Sequence, residues 1–152
     1  PPSPDKLRQV PLAALPAQTE RWLEAQRPAL PAPAVPLIDA IAIRLDTLKP
    51  QLSGLSDTAP AATELRKLVS EQLPDFVAGY QKVPANLRGV ARNGKTPDAQ
   101  LIDGLKLIEQ EIGEMAAELA AGDLDALQTR GRFLEIKYRG DDGAACPANP
   151  CR

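Results

Sequence analysis

Apolar residues recur at alternating intervals of four and three between Pro97 and Arg139, which is typical of one face of an α-helix. The first run contains Leu101, Leu105, Ile108, Ile112, Met115 and Leu119. The second contains Leu124, Leu127, Gly131, Leu134 and Tyr138. Gly122 separates the runs and Asp123 is a suitable N-cap. We therefore predict two helices joined by a turn at Gly122.

Two further stripes of the same period lie upstream. One predicts a helix from Pro36 to Ser53–Gly54, with Ile38, Ile41, Leu45, Leu48 and Leu52 on its apolar face. The other predicts a helix from Ala61 to Gln81, with Leu65, Val69, Leu73, Phe76 and Tyr80 on its apolar face. Because Pro74 lies inside this second helix, we expect a kink or two abutting helices near Leu73.

The N-terminal region is rich in proline, which disfavours long regular helices. More than half of the 16 prolines lie in the first 36 residues. One short helix fits from Thr19 to Arg27. The run from Pro28 to Pro36 is predicted to be an extended, polyproline-like connector.

These elements predict an all-α fold with four principal helices in an antiparallel bundle and a Pro-rich N-terminal arm that carries one short helix. Residues 1–35 are assigned to the arm, which packs on the bundle. Residues 36–139 are assigned to the helical bundle, and residues 140–152 to a flexible tail.

Composition excludes several kinds of chemistry. The chain has no histidine, so it cannot form a Ser–His–Asp triad or a Glu-x-x-His di-iron site from its own residues. It also lacks a Gly-rich phosphate loop. Glu111, Glu114 and Glu118 lie beside the apolar stripe, which favours a solvated helix face. We expect no catalytic residue, no cofactor and no metal.

Charge and hydropathy narrow the range of partners. The 18 basic and 20 acidic residues nearly balance, which argues against nucleic-acid binding. The most apolar stretch, Val35 to Leu48, is interrupted by charged residues and is shorter than a membrane span. We expect membrane association only through a segment that this sequence does not contain. Cys146 and Cys151 lie at the C-terminal end, and whether they form a disulfide stays open, as does the compartment.

Five basic residues form the predicted contact surface for a partner. Arg88, Arg92 and Lys95 lie in the loop before the helix that begins at Pro97, and Arg130 and Arg132 lie in the last predicted helix. The alternative is that they are surface charges that pair with glutamates. Gly131 falls on an apolar stripe, so we expect a close helix–helix contact there, near Gly113 or Met115.

Three segments resemble the helical domain of bacterial XpaC-like proteins. They are LPDFVAGYQKVP at 73–84, TPDAQL at 96–101 and GDLDALQTRGRFLE at 122–135. That family is associated with hydrolysis of 5-bromo-4-chloroindolyl phosphate and is grouped with toxic-anion (tellurite) resistance proteins. The resemblance covers the second half of the chain. It implies a helical fold and a bacterial cytoplasmic or membrane-face location, and it transfers no catalytic residue.

The interpretation that we favour is a non-enzymatic helical binding or structural module that contacts another protein, in a bacterial envelope- or anion-stress system. Two alternatives stay open. One is a hydrolase that acts on phosphate esters, as the family resemblance implies. The other is a carrier of a small apolar ligand or lipid, because a Leu-rich core with few aromatic residues can open a cavity.

Overall fold

A computed structural model describes the backbone of residues 1–143 and the side chains of residues 1–122 and of Thr129. The chain divides into two compact units, Pro1–Ala116 and Ala117–Arg152. Within residues 1–143 the secondary structure is helical and no strand occurs beyond one isolated bridge between Arg92 and Lys95. The all-α prediction is confirmed.

The α-helices of residues 1–143 follow one another along the chain. They are α1 (Pro4–Leu7), α2 (Leu15–Gln26), α3 (Val35–Leu52), α4 (Pro60–Lys67), α5 (Leu73–Lys82) and α6 (Pro97–Gly143). A π-helical turn, Leu68–Gln72, joins α4 to α5. Short 3₁₀ turns lie at Leu12–Ala14, Arg27–Ala29, Ala32–Ala34 and Ala85–Leu87.

Prolines in the N-terminal region begin helical turns. α2 starts one turn earlier than predicted because Pro16 occupies its first turn, where no backbone donor is needed. The predicted polyproline connector is wrong, since Pro28 and Pro33 each lie in a 3₁₀ turn and the backbone is extended only at Leu30 and Pro31. The fixed φ of proline is compatible with both conformations.

Arg66 of α4 anchors the N-terminal segment. Its Nη1 donates hydrogen bonds to the carbonyl oxygens of Leu7 (3.2 Å), Arg8 (3.2 Å) and Val10 (2.8 Å). Leu7 and Leu15 are completely buried. Residues of this segment therefore form part of the hydrophobic core of the first unit.

Contacts between neighbouring helices pair residues in opposite order along the chain. Between α2 and α3, Arg27 contacts Asp39 at 2.6 Å and Glu20 contacts Lys49 at 3.4 Å. Between α5 and α6, Tyr80 contacts Asp98, and Phe76 contacts Gly104. Each of these two helix pairs therefore runs in opposite directions.

A π turn lies at the junction of α4 and α5. Two abutting helices near Leu73 are confirmed, because the Leu73 N–H bonds to the Leu68 carbonyl across the π turn and α5 begins at Leu73. A proline inside a helix clashes with the carbonyl four residues earlier, and a wider turn before Pro74 relieves that clash. Beyond the turn Val77 is buried and Phe76 is 42% exposed. The prediction that Phe76 lies in the core is wrong.

The predicted turn at Gly122 is also wrong, because α6 continues through Gly122 to Gly143. One glycine costs a helix only about 1 kcal/mol, and alanines and leucines flank it on both sides. The close contact predicted at Gly131 falls outside the described side chains. Cys146 and Cys151 lie outside the described residues altogether.

Candidate functional site

An open groove lies between the π turn with α5 on one side and the first part of α6 on the other. It has a volume of about 740 Å³ and is lined by Leu68, Gln72, Asp75, Phe76, Leu107, Ile108 and Glu111. We call this surface the α5–α6 groove. Leu68 and Ile108 are buried at its base, whereas Phe76 and Leu107 are 42% and 59% exposed. Large apolar side chains are thus accessible inside a concavity.

Gly104 allows the Phe76 ring to lie against the backbone of α6. A Cβ atom at position 104 would be 2.5 Å from the nearest ring carbon of Phe76, which is closer than van der Waals contact permits. Leu107 follows Gly104 by one turn and lies in the adjoining part of the groove. The absence of a side chain at Gly104 therefore sets the position of the aromatic ring.

Smaller depressions continue the groove in both directions. One of about 280 Å³ shares Asp75 and Phe76 with it and reaches Pro97. Another of about 210 Å³ shares Leu68, Gln72 and Glu111 with it and reaches Met115. At 1.5 Å per residue, the concave seam along α6 is about 27 Å long.

The charged residues that line the groove are both acidic. Asp75 belongs to α5 and Glu111 belongs to α6, and both are exposed. Neither carboxylate forms an ion pair with any side chain that the structure describes. Lys67 lines the small depression near Met115 and does not line the groove itself. The groove is therefore apolar in its middle and negative on both walls.

A hydrogen-bonded cluster closes the end of the seam near Pro97. The Tyr80 hydroxyl donates to Asp98 Oδ1 at 2.6 Å, and the Arg88 guanidinium carbon lies 4.8 Å from the Tyr80 ring centroid. Arg88 also donates to the carbonyl oxygens of Val83 (3.0 Å) and Gln81 (3.3 Å). Burial, followed by the hydrogen bond to Asp98, raises the pKa of Tyr80 to about 12. The cluster joins α5, the following loop and α6.

Three of the five predicted basic residues have described side chains, and their surroundings differ. Arg88 is half-buried and bonds within the cluster at Tyr80, whereas Lys95 forms an ion pair with Asp103. Arg92 is exposed and forms no ion pair with the described side chains. A turn at Asn93 and Gly94, both with positive φ, pairs the backbones of Arg92 and Lys95. The side chains of Arg130 and Arg132 lie outside the described part of the chain.

Sequence reasoning missed the groove residues for a specific reason. Leu107 does not belong to the apolar stripe of α6, so it was not assigned to the core or to a site. The predicted stripe contains Phe76 rather than Val77, although both positions fit the helical period between Leu73 and Tyr80. A leucine off the stripe, opposite a helix with an internal proline, is the signal that could have identified this surface.

The described residues contain no group of three or more His, Cys, Asp or Glu side chains arranged to hold a metal ion. No helix among them has the length and the apolar content to cross a bilayer. Comparisons of the chain with protein families, curated proteins and solved structures find no match.

Proposed function

We propose that this chain is a non-enzymatic protein-binding module and that its contact surface is the α5–α6 groove. The observation that carries the proposal is the exposure of Phe76 and Leu107 inside a concavity of about 740 Å³. Exposed apolar side chains gathered in a groove are typical of sites that bury against a partner. Binding there removes this apolar surface from water, which is favourable.

We further propose that α2, α3, the α4–α5 segment and the first part of α6 form an antiparallel four-helix bundle. The reversed residue pairing of α2 with α3 and of α5 with α6 supports this arrangement. The ion pair of Arg44 with Glu109, at 2.5 Å, connects α3 to α6. In such a bundle the groove lies along the outer seam of one helix pair.

The hydrolase alternative has less support in the geometry. Phosphoryl transfer needs cationic donors or a metal directed at the phosphate. The polar groups that line the groove are two carboxylates and the Gln72 amide, and carboxylates repel a phosphate ester. Arg88, the cation nearest to the end of the seam, already bonds to two backbone carbonyls.

Peptide selection tests the protein-binding proposal. A phage-displayed library is panned on the full chain, and each enriched peptide is then measured against Leu107→Glu and Ile43→Glu. Ile43 is the matched control because it is an apolar residue of α3, 65% exposed, that does not line the groove. We expect Leu107→Glu to weaken binding at least about tenfold and Ile43→Glu to leave it unchanged. Peptides that bind all three proteins equally would contradict the proposal.

A separate assay addresses the two alternatives. Chromogenic phosphate esters are incubated with the purified chain, with and without divalent metals, beside Arg88→Ala and Arg132→Ala. We expect no turnover in any sample. Metal-dependent turnover that disappears in either variant would favour the hydrolase. Thermal stabilisation of the chain by fatty acids or other apolar compounds, lost in Leu107→Glu, would favour the carrier.

A further inference from the structure

We infer that the α5–α6 groove binds a cationic amphipathic α-helix of a partner protein. This inference rests on the proposed function and specifies the chemistry of the partner. Apolar residues of the bound helix pack on Phe76 and Leu107, while lysine or arginine residues on both of its flanks pair with Asp75 and Glu111. The inference has three supports, which are the shape of the seam, the order of its residues and its charge.

Shape favours a helix over a compact side chain or a small ligand. The groove and its two smaller continuations form one seam from Pro97 to Met115. Its length of about 27 Å corresponds to a helix of about five turns. A seam between two helices that run in opposite directions offers the ridges and grooves into which a third helix packs. Helices that bind in this way present anchors at positions i, i+3 or i+4, and i+7.

The order of the lining residues matches one face of such a helix. Phe76 and Leu107 lie in the middle of the seam, and Asp75 and Glu111 lie on opposite walls, one on α5 and one on α6. An apolar stripe flanked by cations on both sides is therefore complementary to this surface. An extended peptide directs its side chains to two opposite faces, so an apolar stripe on one face has no cationic side chains on its flanks.

The negative charge of the groove favours a partner helix of positive charge. Asp75 and Glu111 have no cationic partner among the described side chains, so a cationic helix gains two ion pairs on binding. An anionic helix places like charges beside both carboxylates. One exposed ion pair changes affinity by about 1.4- to 5-fold, so two such pairs favour a cationic helix by about 2- to 25-fold. Like-charge repulsion of an anionic helix adds to this difference.

Three designed peptides of about 18 residues test the inference by fluorescence anisotropy with the full chain. The first is a Leu/Lys amphipathic helix, and the second has glutamate in place of every lysine. The third has the composition of the first in an order that spreads leucine around the helix. We expect the first peptide to bind several-fold more tightly than the second, because it gains two ion pairs. We expect it to bind about tenfold more tightly than the third, because only the first presents an apolar stripe to Phe76 and Leu107. Equal affinity of the first and third peptides would contradict the requirement for an apolar stripe.

Charge reversal locates the effect. In the double variant Asp75→Lys with Glu111→Lys we expect the preference to reverse in favour of the glutamate peptide. The matched control is Glu71→Lys with Glu114→Lys, which makes the same change of charge at exposed carboxylates on the π turn and on α6 that do not line the groove. The control should keep the preference of the wild-type chain. If the control also preferred the glutamate peptide, the preference would depend only on the net charge of the chain. That result would overturn the inference.

Further outcomes separate this inference from the proposed function. If the lysine and glutamate peptides bind equally and Leu107→Glu abolishes both, the groove is a binding surface and only its charge selectivity is refuted. If binding is unaffected by Leu107→Glu, the groove is not the contact surface and both proposals fail. Sedimentation velocity that shows self-association, lost in Leu107→Glu, would assign the groove to a second copy of the chain.

Discussion

Gly104 has a role that helix formation alone does not explain. Alanine is favoured over glycine inside a helix by about 1 kcal/mol, so propensity argues against glycine at this position. The space that a Cβ atom would fill is occupied by the Phe76 ring, 2.5 Å away at its nearest carbon. The glycine therefore allows an aromatic ring to lie on the α6 backbone at the centre of the groove.

A double-mutant cycle tests this contact. In the Phe76→Ala background we expect Gly104→Ala to stabilise the chain by about 1 kcal/mol, because only helix propensity changes. In the wild-type background the new methyl group displaces the ring, so we expect the stabilisation to be smaller by about 1 kcal/mol or to become a loss. Urea unfolding measures all four proteins. Equal effects in the two backgrounds would show that the ring does not contact Gly104.

Tyr80 makes stability depend on pH at the alkaline end. Its pKa is raised from 10.0 to about 12, so the folded state holds the phenolic proton more tightly than the unfolded state. This contribution is complete below pH 10 and is lost as pH rises through 12. We expect the free energy of unfolding of the wild-type chain to fall over this range by more than that of Tyr80→Phe. An equal fall of the free energy of unfolding with pH in the two proteins would contradict the raised pKa.

At the scale of elements, one side chain connects the N-terminal segment to α4. Arg66 donates to three carbonyl oxygens near the end of α1, a helix of only 4 residues. A helix this short is not stable alone, so its position depends on contacts of this kind. Sequence periodicity predicted α4 correctly but contains no information about a bond between residues almost 60 positions apart.

We expect Arg66→Ala to reduce the free energy of unfolding by about 1–3 kcal/mol, because the carbonyl oxygens lose a charged donor. Trypsin should also cleave after Lys6 and Arg8 more rapidly in this variant. Lys67→Ala is the control, since Lys67 is exposed and forms no ion pair with the described side chains, and its effect should stay within about 0.5 kcal/mol. If Arg66→Ala and Lys67→Ala had the same stability and the same rate of cleavage, Arg66 would not anchor the N-terminal segment.

The continuity of α6 at Gly122 is a second property at this scale. Among the described atoms outside the local helix backbone, none lies within 4 Å of a Cβ atom built at Gly122, so alanine there meets no obstacle among them. We expect Gly122→Ala to increase helicity at 222 nm and to favour the helix by about 1 kcal/mol, and Gly122→Pro to decrease helicity. In a hairpin with a left-handed Gly122, alanine would instead be destabilising. Loss of helicity in Gly122→Ala would support the predicted turn at Gly122 instead.

At the scale of the whole molecule, the sequence predicted the elements better than it predicted the surface they create. All five stripe residues of α3 are buried, and α6 begins at Pro97 with its Thr96 side chain accepting a bond from the Ala99 N–H. These features depend on local spacing and capping, which a sequence displays directly. Four of the five residues predicted for the stripe before and after Pro74 are buried as well, and only Phe76 is replaced in the core by its neighbour Val77. Both positions fit the helical period, so spacing alone does not choose between them.

The groove depends on how two helices distant in sequence lie against each other, so periodicity alone could not predict it. Leu107 and Phe76 acquire their common role only when α5 and α6 pack in opposite directions. The prediction of a basic contact surface grouped residues because they are close in sequence. Arg88 bonds to backbone carbonyls and Lys95 pairs with Asp103, whereas Arg92 forms no ion pair with the described side chains.

The most direct test of the central claim is a nuclear magnetic resonance titration of the full isotope-labelled chain with the Leu/Lys helical peptide. If the α5–α6 groove is the contact surface, the largest chemical-shift changes will fall on Asp75, Phe76, Leu107 and Glu111. The resonances of Ile43 on α3 and of Arg92 in the loop will stay in place. Changes centred on Arg92 or on α3, with the groove unaffected, would contradict the account.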